Sequence, residues 1–224
     1  MKHDVKTRRR YDSPHRREQA AATRRKVIAG AQPLFLQHGY AGTTMVAIAR
    51  EAGVVVETVY RSFGSKAALF AAVVEAALAG GVERAEVPVE ERPAIAAIIA
   101  ETDPAKQVAL YAATQPGIHR RGGPLLRAVR DAAAVDPEVA RVWSELERWR
   151  YEGQARMVGL LASRGALRQA LSVETASDLT WTLCSLAVHD LLVIERGWTS
   201  EQYEGWLTDA LTRELLGKPF PDLP

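Results

Sequence analysis

The 224-residue chain is 47% hydrophobic with a formal net charge of +2, which excludes a wholly disordered protein and suits one large domain or two small ones. Its single cysteine, Cys184, excludes an intramolecular disulfide. No apolar run approaches the roughly 20 residues that span a bilayer, and no apolar stretch follows the basic N-terminus as in a secretory signal. The composition therefore favours a cytoplasmic protein without a membrane partner.

Positive charge is concentrated at the N-terminus. Residues 1–26 contain ten lysines and arginines against three acidic residues, so this segment carries +7 and the rest of the chain −5. Residues 1–20 have few apolar groups, which predicts a disordered basic arm. Such an arm is typical of a polyanion partner, although the charge alone leaves open nucleic acid, an anionic membrane surface and a merely solubilising tail.

Helical periodicity begins after the arm. Apolar residues recur at helical spacing over residues 27–36, with Pro33 inside the pattern and Gly39 suited to end the helix. The pair Thr43-Thr44 is a start signal, and it predicts a short helix over residues 45–52.

Glycines separate the next elements. Gly53 breaks the pattern before a second short helix over residues 56–63, and Gly64-Ser65 precedes a third helix over residues 66–79. A charged, proline-containing stretch follows, and it predicts a domain junction near residues 80–93. Beyond it, the pattern predicts only helices, over residues 93–101, 104–119, 122–134, 137–164, 173–196 and 200–216.

Residues 44–63 are the most informative segment. Two short helices joined by a glycine turn meet at a tight angle, where Ala49 permits close approach and Gly53 supplies a positive φ. This geometry leaves the outer face of the second helix free to enter a DNA major groove of about 12 Å width. Two-helix turns inside ordinary cores match the same short pattern.

The wider segment is more specific. Residues 21–81 resemble the DNA-binding headpiece of the TetR (tetracycline repressor-like) family. The matching positions lie in one unbroken register: Ile28, Ala31, Leu34-Phe35, Gly39, Thr43-Thr44, Ile48-Ala49, Ala52-Gly53-Val54, Thr58-Val59-Tyr60, Phe63, Lys66 and Leu69-Phe70. The resemblance implies an all-α protein with a three-helix headpiece over 21–81, its helix-turn-helix motif at 44–63, and a ligand-sensing and dimerisation domain over 82–224.

The resemblance also implies roles for residues of the motif. Thr43 and Thr44 match the positions that start the first helix and touch a phosphate, whereas Thr58, Tyr60 and Lys66 match backbone-positioning residues. The base-reading positions are occupied by Val55, Val56, Glu57 and Arg61. Val55 departs from the Ser or Thr that commonly caps the recognition helix, and Ser62 departs from the common His or Tyr.

The C-terminal half resembles the family more loosely. Its helices near 173–196 and 200–216 carry an apolar stripe too extensive for a free surface, which predicts a homodimer, with packing inside one subunit as the alternative. Seven residues of the central helices are candidates for lining an effector site, although aromatic residues at helical spacing also build cores: Tyr111, Thr114, His119, Trp143, Trp149, Met157 and Trp181.

The sequence lacks the motifs of a dinucleotide site, a phosphate loop or a zinc protease, and its five histidines are dispersed. It therefore predicts no enzyme, cofactor or metal site. The predicted function is a sequence-specific DNA-binding transcription regulator, most simply a repressor that an unidentified small molecule releases from a palindromic operator on double-stranded DNA. Two alternatives remain: a helical ligand- or partner-binding protein without operator specificity, and an enzyme that uses the helical-domain pocket.

Overall fold

The computed structural model describes residues 14–217, and within that range the chain is helical and contains no strand. It also contains a 3₁₀ turn, Val89–Glu91, and a π-helical segment, Asp190–Glu195. The helices are α1 (Pro14–Gly42), α2 (Met45–Glu51), α3 (Val56–Phe63), α4 (Lys66–Ala79), α5 (Val82–Ala85), α6 (Pro93–Ala100), α7 (Pro104–Ala133), α8 (Pro137–Ser163), α9 (Val173–Leu183), α10 (Leu186–His189) and α11 (Ser200–Leu216).

The all-α prediction is confirmed, and the three helices α2, α3 and α4 lie where the sequence places them. Their starts follow from local chemistry. The hydroxyl oxygens of Thr44 and Ser65 accept hydrogen bonds from the backbone N–H groups of Ala47 and Ala68. Each bond satisfies an amide that the helix itself leaves unpaired.

Three predicted boundaries differ from the structure. The disordered-arm prediction is wrong for residues 14–20, which continue α1 toward the N-terminus, and its remaining residues lie outside the described range. The predicted helices 104–119 and 122–134 form one helix, α7. The predicted helix 173–196 is interrupted at Cys184 because Ser185 leaves the helical conformation and caps α10.

The continuity of α7 has a packing cause. Gly122 is buried where α7 crosses the end of α4, and a methyl group on it would overlap the side chain of Leu78. Gly122, which suggests a helix break when only the sequence is considered, therefore lets α4 and α7 approach closely. Pro124 continues the same helix despite its missing N–H.

Buried apolar residues form two clusters. The first joins α1–α4 to the C-terminal part of α7 and the N-terminal part of α8, with Phe35 and Phe70 packed edge to face at 4.8 Å. The second joins α6 and the N-terminal part of α7 to the C-terminal part of α8, α9 and α11. The first cluster crosses the predicted junction near residues 80–93, so α3 packs on a support that includes α7 and α8.

Candidate nucleic-acid interface

The turn between α2 and α3 is built around Gly53. Its φ of 65° lies in the left-handed region, and its N–H donates to the Arg50 carbonyl. The next residue, Val54, donates to the Ala49 carbonyl at 2.9 Å, which closes the turn. Ile48 is fully buried between the two helices. The turn therefore fixes the direction in which α3 leaves α2.

The two faces of α3 differ sharply. Val59 and Phe63 are buried in the first cluster, whereas Tyr60 is 51% exposed and both Glu57 and Arg61 are exposed. Because residues three and four apart share a helix face, the exposed side chains form a single outward surface. That surface has the length and shape of an element that enters a major groove.

Other predicted DNA contacts are distributed around this surface. Val55 is 64% exposed at the start of α3, where no side chain caps the helix, and Val56 is half-buried against the first cluster. The Thr58 hydroxyl accepts a hydrogen bond from Arg61 Nη2 at 3.3 Å, so these two side chains already restrain each other. Val56 is therefore partly a packing residue.

The structure separates the two threonines that the family pattern pairs. Thr44 is exposed and caps α2. Thr43 is 2% exposed, and its hydroxyl lies 2.8 Å from the Gly39 carbonyl and 3.0 Å from that of Leu34. The predicted phosphate contact by Thr43 is wrong, because its hydroxyl is buried and bonded to the end of α1.

Lys66 also has an internal role that the sequence did not predict. Its Nζ donates to the carbonyls of Tyr40 and Thr43, at 2.9 and 3.2 Å, and lies 4.2 Å from the centre of the Tyr40 ring. These contacts clamp the corner between α1 and α2 onto the start of α4. The ammonium group therefore has a positioning role in this corner, and its phosphate contact stays a prediction.

A basic side chain of α1 reaches the recognition helix. Arg24 donates from Nη1 to the Ser62 carbonyl at 2.9 Å, and its guanidinium lies 4.2 Å from the centre of the Phe63 ring. The contact places a positive charge at the C-terminal end of α3, where the helix dipole favours it. Arg24 entered the sequence analysis only as part of the basic segment.

The seven predicted effector residues do not line one cavity. Tyr111 and Met157 are buried in the second cluster, and Trp143 packs against the first. Trp149 is 45% exposed, and Trp181 is 36% exposed beneath the Arg150 guanidinium. Their role in effector binding therefore stays a prediction, since helical periodicity did not reveal which core each one faces.

His119 lies in a buried polar cluster of the second half of the molecule. Its ring stacks on His189 at 4.5 Å, and both rings contact the edge of Tyr203. Burial, followed by the nearby His189, lowers the pKa of His119 to about 3. His119 is therefore neutral near pH 7. Within residues 14–217, no group of three or more His, Cys, Asp or Glu side chains is arranged to hold a metal ion.

A groove of about 610 Å³ lies between α4, α6 and α7, and we call it the α4–α7 groove. Thr114 is the one predicted effector residue that lines it. Three arginines that the sequence analysis missed also line the groove: Arg84, Arg92 and Arg121. The one signal in the sequence is the run 120–123, where Arg121 stands beside small residues. Representative lining residues are Leu78, Arg84, Ile95, Leu110, Thr114 and Arg121.

The segment from α9 to the π-helical turn presents an apolar outer surface. Leu191 is 52% exposed and Ile194 is 61% exposed, and only 28% of the most apolar window of Val173–Glu195 is buried. By length and composition this segment meets the requirement for crossing a bilayer, contrary to the sequence expectation, and the bent pair α3–α4 does so if counted as one span. Those two properties do not distinguish a membrane span from a helix covered by another protein surface.

Comparison with known proteins supports the geometry of the headpiece. Residues 27–73 match the model of the family described as bacterial regulatory proteins, tetR family. No curated protein matches the sequence significantly.

Solved structures share the fold of nearly the whole chain. A protein assigned as a TetR-family transcriptional regulator from Mesorhizobium loti matches with a TM-score of 0.63 and 21% identity, over 86% of this chain and 95% of that one. The regulator FadR from Bacillus subtilis, solved with stearoyl-CoA, matches at 0.61 and 14%, over 87% and 98%. A regulator from Saccharomonospora viridis, solved with choline, matches at 0.61 and 16%, over 88% and 98%.

The projecting α3 and its supporting helices form a helix-turn-helix headpiece, a class of domain that binds DNA by placing its second helix in the major groove. Residues 27–73 are similar to the tetR family of bacterial regulatory proteins, and the described residues share the fold of the solved structures named above.

Proposed function

We propose that this chain acts in the cytoplasm as a homodimeric repressor whose two headpieces read a palindromic operator and release it when a small molecule binds the helical domain. The observation that carries the proposal is the division of α3 into two faces. Val59 and Phe63 anchor the helix, while Glu57, Tyr60 and Arg61 project from it. Direct readout requires such an anchored helix with free polar side chains.

We assign distinct roles to the projecting side chains. Arg61 reads a base edge, because a guanidinium matches the paired acceptors of guanine, and Glu57 accepts from a cytosine amino group. Tyr60 and Thr44 contact phosphates and so position the headpiece without reading sequence. Val55 contacts the apolar part of a base edge. Thr43 and Lys66 act indirectly by holding the corner at the start of α2.

The exposed apolar surface of α9 and the π-helical segment supports a two-fold dimer. Leu191, Ile194 and Trp181 expose apolar area that a second copy would cover, and α11 packs beside them on α7. A two-fold axis there would present two α3 helices to one face of the duplex, about one DNA turn or a multiple apart. This arrangement explains why an inverted repeat is the expected target.

The helical domain is the proposed sensor. Proteins of the same fold were solved with stearoyl-CoA and with choline, which supports a small-molecule effector. A ligand releases DNA only if it binds more tightly to the conformation in which the two α3 helices are misplaced. Because α4 carries the headpiece at one end and contacts α7 at the other, it is the proposed lever.

Selection of bound fragments from random double-stranded DNA tests the central proposal. The expected result is enrichment of an inverted repeat whose half-sites are one or more helical turns apart. Uniform binding that disappears as salt is raised would instead indicate a helical binding protein without operator specificity.

Substitutions on α3 test the assigned roles. Arg61→Ala is expected to relax preference at one symmetric base position and to weaken operator binding by about 1–3 kcal/mol. Tyr60→Phe is expected to weaken binding on all sequences. Arg156→Ala and Tyr151→Phe, both on α8, are matched controls that leave binding unchanged. Equal weakening by Arg61→Ala on every sequence would contradict base reading.

A further inference from the structure

The α4–α7 groove has apolar walls and a basic rim. Leu78 and Leu110 contribute walls from α4 and α7, and Ile95 contributes one from α6. Its volume of about 610 Å³ falls within the range of small-molecule sites. The groove therefore has room for an apolar ligand of substantial length.

Two arginines meet at the rim without a counter-ion. A methyl group placed on Gly80 would lie 3.1 Å from Arg84 Nη1 and 3.4 Å from Arg121 Nε, so both guanidinium groups converge on this glycine. Neither forms an ion pair with a carboxylate among residues 14–217. Partial burial, followed by Arg120 and Arg84, lowers the pKa of Arg121. Like charges held together in this way favour an anion between them.

The third rim arginine is already engaged. Arg92 donates to the carbonyls of Val87 and Ala85, and its Nη2 lies 4.0 Å from a carboxylate oxygen of Glu75. Arg92 therefore fixes the connection that borders the groove. The uncompensated charge belongs to Arg84 and Arg121.

Arg121 also holds the end of α4. Its Nε donates to the Ala77 carbonyl at 3.2 Å and its Nη2 to the Leu78 carbonyl at 2.9 Å. These are carbonyls of the last turn of α4, where a cation is favoured by the helix dipole. Gly117, one turn earlier on α7, leaves room for the guanidinium to fold back, since a methyl group there would lie 2.9 Å from Arg121 Nη1.

We propose that the α4–α7 groove binds an amphipathic carboxylate, with its alkyl chain against the apolar walls and its carboxylate between Arg84 and Arg121, and that this binding withdraws Arg121 from the end of α4. The inference rests on the proposed function, because it names the effector class and the coupling step of that regulator. A carboxylate accepts two parallel hydrogen bonds from one guanidinium, so it competes directly with the two α4 carbonyls. Loss of those bonds frees the helix that carries the headpiece.

Calorimetric titration of the full chain with decanoate tests the ligand class. Decanol and decyltrimethylammonium have chains of the same length with a neutral and a cationic head group. Decanoate is expected to bind at least about tenfold more tightly than either one, since a charged hydrogen bond contributes on this scale. Equal affinity for decanoate and decanol would overturn the assignment of the rim.

Variants locate the binding site. Arg84→Gln and Arg121→Gln are each expected to weaken decanoate binding about tenfold, and the groove-filling Ala113→Phe to abolish it. Arg156→Gln is the matched control, because Arg156 is exposed on α8 and does not line the groove. Unchanged affinity in Arg84→Gln and Ala113→Phe would overturn the site even if Arg121→Gln fails to fold.

Coupling is measured by operator release. Decanoate is expected to displace the wild-type chain from its selected DNA. At equal decanoate occupancy, the Arg121→Lys variant is expected to be displaced less, since its lysine cannot bond both α4 carbonyls as the guanidinium does. Equal displacement from both proteins overturns the coupling. Decanoate binding without any operator binding contradicts the proposed function alone, and operator binding without decanoate binding contradicts this inference alone.

Discussion

Replacing Lys66 with methionine removes the ammonium group that joins the Tyr40 and Thr43 carbonyls while keeping an unbranched side chain of similar length. Two hydrogen bonds at 2.9 and 3.2 Å and one contact with the Tyr40 ring are lost. A hydrogen bond from a charged donor contributes about 1.5–3 kcal/mol when partly buried, and the cation–ring contact adds about 0.5–1 kcal/mol. Water replaces part of these contacts, so the expected decrease in the free energy of unfolding is about 2–3 kcal/mol.

Urea unfolding followed by circular dichroism measures this decrease, and titration with the selected operator at several salt concentrations measures DNA affinity. Lys106→Met is the matched control, because Lys106 is exposed in the first turn of α7. It is expected to change the free energy of unfolding by less than about 0.5 kcal/mol. The variant at Lys66 is expected to lose stability and operator affinity together.

A different outcome would refute a positioning role for Lys66. If Lys66→Met unfolds at the same urea concentration as the wild type, binds operator more weakly and has a salt dependence reduced by about one phosphate contact, the ammonium group touches DNA. The contacts to Tyr40 and Thr43 would then contribute little to stability.

Three other changes address the turn, the buried histidine and the dimer. Gly53→Ala is expected to lower the free energy of unfolding by about 1–2 kcal/mol, because the φ of Gly53 is +65°. Gly159 lies in helical backbone with open space around it, so Gly159→Ala is expected to raise the free energy of unfolding by up to about 1 kcal/mol. Changes of the same sign in urea unfolding would contradict this reasoning. Because burial lowers the pKa of His119 to about 3, the unfolded chain binds a proton below about pH 6.5 that the folded chain does not, so stability falls as pH decreases from about 6.5 toward 3. His119→Leu is expected to flatten a plot of Tm against pH in that window, and parallel plots would exclude His119 as the cause. Ile194→Asp is expected to yield monomers in sedimentation velocity, whereas Val135→Asp, at a position 86% exposed between α7 and α8, leaves the dimer intact; dimers in both would place the interface elsewhere.

Local chemistry explains which parts of the headpiece the sequence predicts well. The hydroxyls of Thr44 and Ser65 cap helices by accepting a hydrogen bond from the amide three residues later. Gly53 supplies a positive φ that few other residues adopt. These interactions involve neighbours in the chain. They are therefore readable without knowledge of the packing.

The errors arise where distant segments decide the outcome. Thr43 and Thr44 are the same residue type, and only the packing of α1 makes one of them buried. Gly122 reads as a helix break until Leu78 is placed against it. Arg121 reads as surface charge until its hydrogen bonds to the end of α4 are seen. Tertiary contacts of this kind override local preference, and a single sequence does not contain them in readable form.

The first apolar cluster has a consequence for modular exchange between related regulators. Phe70 and its neighbours share one interior with Leu125 and Val129 of α7 and with Val142 of α8. A fragment truncated at residue 81 would lose these partners and expose an apolar surface prone to aggregation. Grafting this headpiece onto another helical domain would require transferring the matching ends of α7 and α8 as well, because both parts share one hydrophobic core.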